Sequence, residues 1–276
     1  MTGVQTCALP IFLALGAAIG VLLALAGKIF FVEHEESADE IKEALPGANC
    51  GGCGYAGCAA LAEAIAKGEA KTNACTVGGD EVAAKIAAIM GVTAEKAVRL
   101  RAQVMCSGTS ECSEKKMDYA GISDCRAAAA IGGGDKMCPN GCIGLGTCVE
   151  ACPFDAISVE NGVAAVDYAR CRGCGVCAAS CPKGLIELIP YGSRHWVGCK
   201  SRADGAMTRK ICEMGCIGCG ICARNCPEGA IVVENHVARI DYDKCSGCDT
   251  CVSKCPRKII WSASRLGAEG IVISRL

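Results

Sequence analysis

Hydrophobic and polar positions alternate in distinct ways along this chain, and each pattern predicts an element. Leu9 to Val32 is apolar except for Lys28. As a helix it would extend about 36 Å, enough to span a bilayer. Glu33 to Glu40 is acidic and reads as a solvated linker. Ala59 to Lys67 carries Leu61 and Ile65 on one helical face. Glu81 to Met90 also reads as a helix, with Asp80 as cap, Val82, Ile86 and Ile89 on one face, and Gly91 as stop. Val98, Leu100, Ala102 and Val104 alternate with Arg99, Arg101 and Gln103, which predicts a short strand. Asn161-Gly162 between short β-branched stretches predicts a tight hairpin.

From Cys138 to Cys255 the pattern repeats at an offset of 74 residues. Cys142, Cys148 and Cys152 map onto Cys216, Cys222 and Cys226. Cys171, Cys174, Cys177 and Cys181 map onto Cys245, Cys248, Cys251 and Cys255. Val159-Glu160-Asn161 and Asp167-Tyr168 recur as Val233-Glu234-Asn235 and Asp241-Tyr242. A fixed offset across cysteines and scaffold marks a duplicated unit.

Composition sharpens this picture. The 276 residues include 26 Cys and 35 Gly but only 4% aromatics, and net charge is −1. Such a chain builds a thin conventional core, and metal binding can supply cohesion. The charge leaves no basic footprint for nucleic acid. A disulfide framework suits small secreted domains rather than a chain of this length. Zinc is disfavoured because His34, His195 and His236 stand at no ligand spacing from a Cys pair. No phosphate-binding glycine signature occurs, so neither flavin nor nucleotide is expected; Gly132-Gly133-Gly134 reads as a loop. His195-Trp196 reads as a packed corner rather than a partner contact. No acid–base catalytic residue is expected.

Three runs have the form Cys-x2-Cys-x2-Cys-x3-Cys-Pro: Cys216 to Pro227, Cys245 to Pro256 and Cys171 to Pro182. This is the spacing of two-cluster bacterial ferredoxins, in which the fourth Cys ligates the neighbouring cluster. Crossed pairing therefore predicts one cluster on Cys216, Cys219, Cys222 and Cys255. Another falls on Cys226, Cys245, Cys248 and Cys251, and a third on Cys152, Cys171, Cys174 and Cys177. In the first unit Leu145 stands where the repeat has Cys219. Cys138 is expected to replace it, giving Cys138, Cys142, Cys148 and Cys181. A competing reading groups Cys138 with Cys106, Cys112 and Cys125, since its counterpart Cys212 is surplus beside a complete run. Cys50, Cys53, Cys58 and Cys75, amid glycines that let the backbone wrap closely, form one further site. Five [4Fe–4S] clusters are thus expected. Cys106, Cys112, Cys125, Cys199 and Cys212 leave room for a sixth, with ligands open.

The expected class is α+β: an N-terminal transmembrane helix, a small [4Fe–4S] domain and two tandem 2[4Fe–4S] ferredoxin-like domains. The expected divisions are 1–32 (anchor), 33–92 (N-terminal cluster domain), 93–135 (connecting segment), 136–190 and 212–262 (ferredoxin-like domains), 191–211 (linker) and 263–276 (tail). Met1 to Ile11 resembles a translated sequencing-adapter fragment, so the native start is expected to differ there and Cys7 carries no argument.

The apolar segment, then Leu45-Pro46-Gly47-Ala48-Asn49-Cys50-Gly51-Gly52-Cys53-Gly54, then paired ferredoxin units, resembles the B subunit of the Rnf complex over about Gly16 to Trp261. Two units look like the longer form found among such proteins. The resemblance implies electron relay from reduced ferredoxin to membrane, flavin-bearing and NADH-binding partner subunits, coupled to Na+ or H+ translocation. It implies a single-pass protein of the cytoplasmic membrane with its soluble part facing the cytoplasm. A soluble polyferredoxin serving a hydrogenase or dehydrogenase is the alternative.

Overall fold

The computed structural model describes residues 13–23, 25, 36–95 and 98–263. The expected anchor lies largely outside these. Its described part, 13–23, is helical, and Leu13, Leu15, Ile19, Val21, Leu22 and Leu23 are exposed on it. Among the described residues no helix is long and apolar enough to cross a membrane.

The first packed body is helical. It holds α1 (Glu36–Ala44), α2 (Cys58–Ala66) and α3 (Gly79–Ile89). The acidic stretch is therefore not wholly a linker: from residue 36 it is helix. Ala38, Ile41 and Leu45 recur at helical spacing and are buried. Ile41 and Leu45 meet Leu61, Ile65 and Ile86 in one apolar cluster. Ile41, Leu61, Ile65 and Ile86 are all but sealed from water, worth about 1.5–3 kcal/mol each. α3 begins earlier than the apolar period suggests, so Asp80 and Glu81 lie in its first turn rather than capping it. Gly91, in left-handed conformation, ends it: Gly91 N donates to Ala88 O and Val92 N to Ala87 O.

The rest is two repeats of one design. The elements are β1 (Leu100–Val104), α4 (Cys125–Gly132), α5 (Thr147–Glu150), β2 (Ile157–Glu160), β3 (Val163–Val166), α6 (Val176–Ser180) and β4 (Ile186–Pro190). They are followed by β5 (His195–Val197), α7 (Gly205–Ile211), α8 (Ile221–Arg224), β6 (Ile231–Glu234), β7 (Val237–Ile240), α9 (Thr250–Lys254) and β8 (Ile260–Ser262). Each repeat holds an antiparallel hairpin, β2–β3 or β6–β7. Asn161 and Gly162 turn the first with φ of 47° and 75°; Asn235 and His236 turn the second with 49° and 64°. Both central residues at positive φ match the twist of the flanking strands.

Each closing strand is paired antiparallel by a strand from the preceding segment. Val104 of β1 stands opposite Ile186 of β4, and Val197 of β5 opposite Ile260 of β8. The alternation in β1 does not mean a wet face, because Arg101 and Gln103 are buried as well. The Arg101 guanidinium stacks 3.8 Å from the Tyr168 ring centroid and 5.6 Å from that of Trp196. It donates to Gln103 Oε1 (2.7 Å) and Ser193 O (2.9 Å). Trp196 packs with Met105, Ile189, Tyr242 and Trp261 where the repeats meet. His195 and Trp196 are 1% and 2% exposed, a packed corner. His195 Nε2 lies 2.6 Å from Asp249 Oδ1.

Candidate metal centres

All 25 cysteines of the described residues are free of disulfides, yet they gather in groups. In the second repeat, Cys216, Cys219, Cys222 and Cys255 line one cavity, walled by Ile217, Val233 and Ile260. The loop holding the first three turns through Gly218 and Gly220, both at positive φ. A side chain at Gly218 would press on the His236 backbone. Burial pushes the Cys222 thiol up to about 11, with Cys216, Cys255 and Cys219 adding like charge.

The first repeat has a cavity in the corresponding place. Cys142, Cys148 and Cys181 line it where the second repeat has Cys216, Cys222 and Cys255. The remaining thiol there is that of Cys125. Cys138, expected in this place, lines another cavity instead, with Cys106, Cys199 and Cys212. The reason is local. Asp124 caps α4, its Oδ1 accepting from Ala127 N (2.7 Å). Thr147 at the start of α5 accepts from Cys125 N (2.7 Å) and donates to Asp124 Oδ2 (2.9 Å). These bonds fasten Cys125 to the loop that lacks a cysteine at Leu145. Sequence spacing missed this because Cys125 lies outside the repeated run. In the sequence, the surplus Cys212 is the signal for a grouping of Cys138 outside the run.

Cys152, Cys171, Cys174 and Cys177 are close neighbours. Burial raises the Cys177 thiol to about 12, and Cys174, Cys171 and Cys152 push the same way. Burial raises the Cys251 thiol to about 11, and Cys245, Cys248 and then Cys222 add like charge. Cys226 closes the second repeat's turn, accepting from Ala230 N (3.3 Å). In the helical body, Cys53, Cys58 and Cys75 pack together, and burial raises the Cys75 thiol. Asn49 Oδ1 accepts from Cys58 N (2.8 Å), bracing the loop that carries Cys50. That loop touches the first repeat. A Cβ at Gly52 would collide with the Cys174 carbonyl, and Cys50 adds like charge to Cys174.

These groups fit cubane clusters. Buried thiols held high in pKa become ligands only when cationic iron replaces their protons. Backbone amides already aim at sulfur: Ala102 N at Cys171 (3.3 Å), Ala156 N at Cys152 (3.4 Å) and Leu185 N at Cys181 (3.5 Å). Such bonds stabilise sulfur-borne charge and tune a cluster. Among the described residues no three His, Cys, Asp or Glu side chains converge on a point fit for one metal ion. A tetrahedral zinc needs its sulfurs about 2.3 Å from one centre. A cubane instead takes each thiolate at a separate corner, so its ligands ring a void.

Comparison with known proteins agrees with this chemistry. Residues 45–77 match the family described as "Putative Fe-S cluster", and residues 141–185 and 215–259 each match the "4Fe-4S dicluster domain". The chain is 47% identical over 231 residues to the B subunit of the Na(+)-translocating ferredoxin:NAD(+) oxidoreductase complex of Acetobacterium woodii, covering 83% of this chain and 69% of that one. It is 41% identical over 247 residues to the B subunit of the ion-translocating oxidoreductase complex of Methanosarcina acetivorans, covering 89% and 94%. It is 41% identical over 240 residues to the B subunit of the proton-translocating ferredoxin:NAD(+) oxidoreductase complex of Clostridium ljungdahlii, covering 86% and 84%. A chain with these cysteine groups, in this order and at this likeness over nearly its whole length, belongs to the family of B subunits of ion-translocating oxidoreductase (Rnf) complexes.

Proposed function

We propose that this chain carries single electrons from reduced ferredoxin to partner subunits of an ion-translocating ferredoxin:NAD+ oxidoreductase. A bound [4Fe–4S] cluster supplies a one-electron carrier. The protein's part is to hold such carriers close together and adjust their surroundings. We assign five ligand sets: Cys50, Cys53, Cys58 and Cys75; Cys152, Cys171, Cys174 and Cys177; Cys125, Cys142, Cys148 and Cys181; Cys216, Cys219, Cys222 and Cys255; and Cys226, Cys245, Cys248 and Cys251. The second and third sets adjoin, since Cys148 adds like charge to Cys177. The last two adjoin through Cys222 and Cys251.

One observation carries the reading: the cysteine groups lie side by side, the Cys50 loop packing on Cys174, Cys148 adding like charge to Cys177 within the first repeat, and Cys222 to Cys251 within the second. Buried thiols ringed by apolar residues keep water from the carriers, and amides directed at sulfur set their potentials. The segment Leu9 to Val32 acts as a single-pass anchor, and its exposed Leu13, Leu15 and Leu22 suit contact with lipid. Lys28 at its C-terminal side agrees with a soluble part in the cytoplasm, the reducing space that many thiolates need. One span forms no ion channel by itself, so ion movement belongs to partner subunits.

The test is anaerobic titration of the purified full chain with reduced ferredoxin, with cell fractionation alongside. The protein should be brown, bleach stepwise as electrons enter, and sediment with membranes. A colourless or zinc-only protein overturns the relay. A brown protein recovered wholly in the soluble fraction overturns the anchor and favours a polyferredoxin.

A further inference from the structure

We infer that Cys106, Cys138, Cys199 and Cys212 hold a sixth [4Fe–4S] cluster in the seam between the two repeats, joining them into one conducting path. This rests on the relay reading above.

The four thiols form two pairs related by the internal repeat. Met105 N donates to Leu185 O (2.8 Å), and Gly198 N donates to Ile259 O (2.8 Å). Leu185 and Ile259 stand 74 residues apart, so Met105 and Gly198 occupy equivalent places, and so do Cys106 and Cys199, one residue on. Cys138 and Cys212 are 74 residues apart directly. Each repeat thus contributes one thiol just beyond its added strand and one just ahead of its first cysteine loop. A site made this way cannot be seen within either repeat alone.

The space suits a cubane. All four cysteines line one cavity, as Cys216, Cys219, Cys222 and Cys255 do at the complete ferredoxin run. A Cβ at Gly108 would stand 3.4 Å from Cys212 Sγ and 3.7 Å from Cys106 Sγ. Its missing side chain leaves room between those sulfurs. Amides aim at sulfur here too: Cys142 N donates to Cys106 Sγ (3.5 Å) and Ser201 N to Cys199 Sγ (3.4 Å). The first of these bonds joins the seam to the Cys142 group. On the other side Cys216 is a neighbour of Cys199. The seam therefore fills the gap between the carriers of the first repeat and those of the second.

Cys112 is the rival ligand. It stands beside Cys212 but does not line the cavity, and Thr109 and Ser107 O engage its thiol (3.2 and 3.4 Å).

The test counts iron and acid-labile sulfide per full chain after anaerobic reconstitution. Wild type should hold about 24 irons, four per cluster in six clusters. The double variant Cys106→Ala/Cys199→Ala should lose about four and keep its circular dichroism. Gly108→Val fills the void without removing a thiol and should lose the same four. Cys112→Ala should lose none. A wild type with about 20 irons, unchanged in the double variant, overturns the sixth cluster and leaves the relay standing. Loss on Cys112→Ala but not on the double variant overturns this ligand set. A chain that binds no iron overturns both.

Discussion

Gly52 rests against the carbonyl of Cys174, so closely that any Cβ at position 52 would overlap the Cys174 oxygen. This contact holds the Cys50 loop on the first repeat, where two cysteine groups from different bodies meet. Gly52→Ala should therefore part them while leaving every thiol in place. Iron content should stay whole, and magnetic coupling between the two neighbouring reduced clusters should weaken in spin-resonance spectra. Overpacking of this kind costs about 1–3 kcal/mol. Unchanged coupling and unchanged melting would show that the contact carries nothing.

The second prediction separates Cys125 from Cys138. Cys125→Ala should leave three thiols for one cubane and produce a three-iron signal in the oxidised protein. Leu145→Cys added to that variant should restore the four-iron form, since Cys219 holds the same place in the second repeat. If Leu145→Cys restores nothing, or if Cys138→Ala alone disturbs this cluster, the assignment is wrong.

Asp124 supports a third. The Ala127 amide, then the Thr147 hydroxyl, hold its carboxyl below the usual range. A depressed folded pKa adds stability that is complete above the unfolded value of about 3.9 and fades as pH falls through the folded value. Asp124→Ala should melt below wild type at neutral pH, and that difference should shrink on acidification past about pH 4. It should also loosen iron at the Cys125 group first. Asp124→Asn, still able to cap, should keep that iron. A melting difference constant with pH would refute the role of the charge.

A fourth concerns Lys136, which is 3% exposed and donates from Nζ to Gly108 O (2.6 Å) and Gly162 O (2.7 Å). Its charge favours the thiolates of Cys106 and Cys142 against the effect of burial. A nearby positive charge favours the reduced, more negative cluster. Lys136→Met should lower the potential of an adjoining cluster on the order of 60 mV, a tenfold shift for one electron. A potentiometric titration followed by spin resonance reads this directly, and a rise in potential would contradict it.

Much of the fold was legible because it depends on local rules. The Asn161-Gly162 turn, the helix around Ile86 and the four-cysteine runs are each written in a few consecutive residues. α1 was hidden because its acidic positions outweigh Ala38 and Ile41 when the segment is read for charge alone. The buried face of β1 was hidden because Arg101 and Gln103 gain cover from Tyr168 and Trp196, which are distant in sequence. The placement of Cys125 and Cys138 depends on convergence in space. Spacing favoured the nearer cysteine, whereas the Asp124–Thr147 bonds bring in the farther one.

Cys174 and Cys248 are repeat equivalents with opposite fates. The glycine-rich Cys50 loop shields the first, while the second is the sole exposed thiol among the described cysteines. The molecule is thus insulated at one corner and bare at the other. Where a redox partner can come nearest, dioxygen can too, so damage in air should begin at Cys248 and spread inward from there.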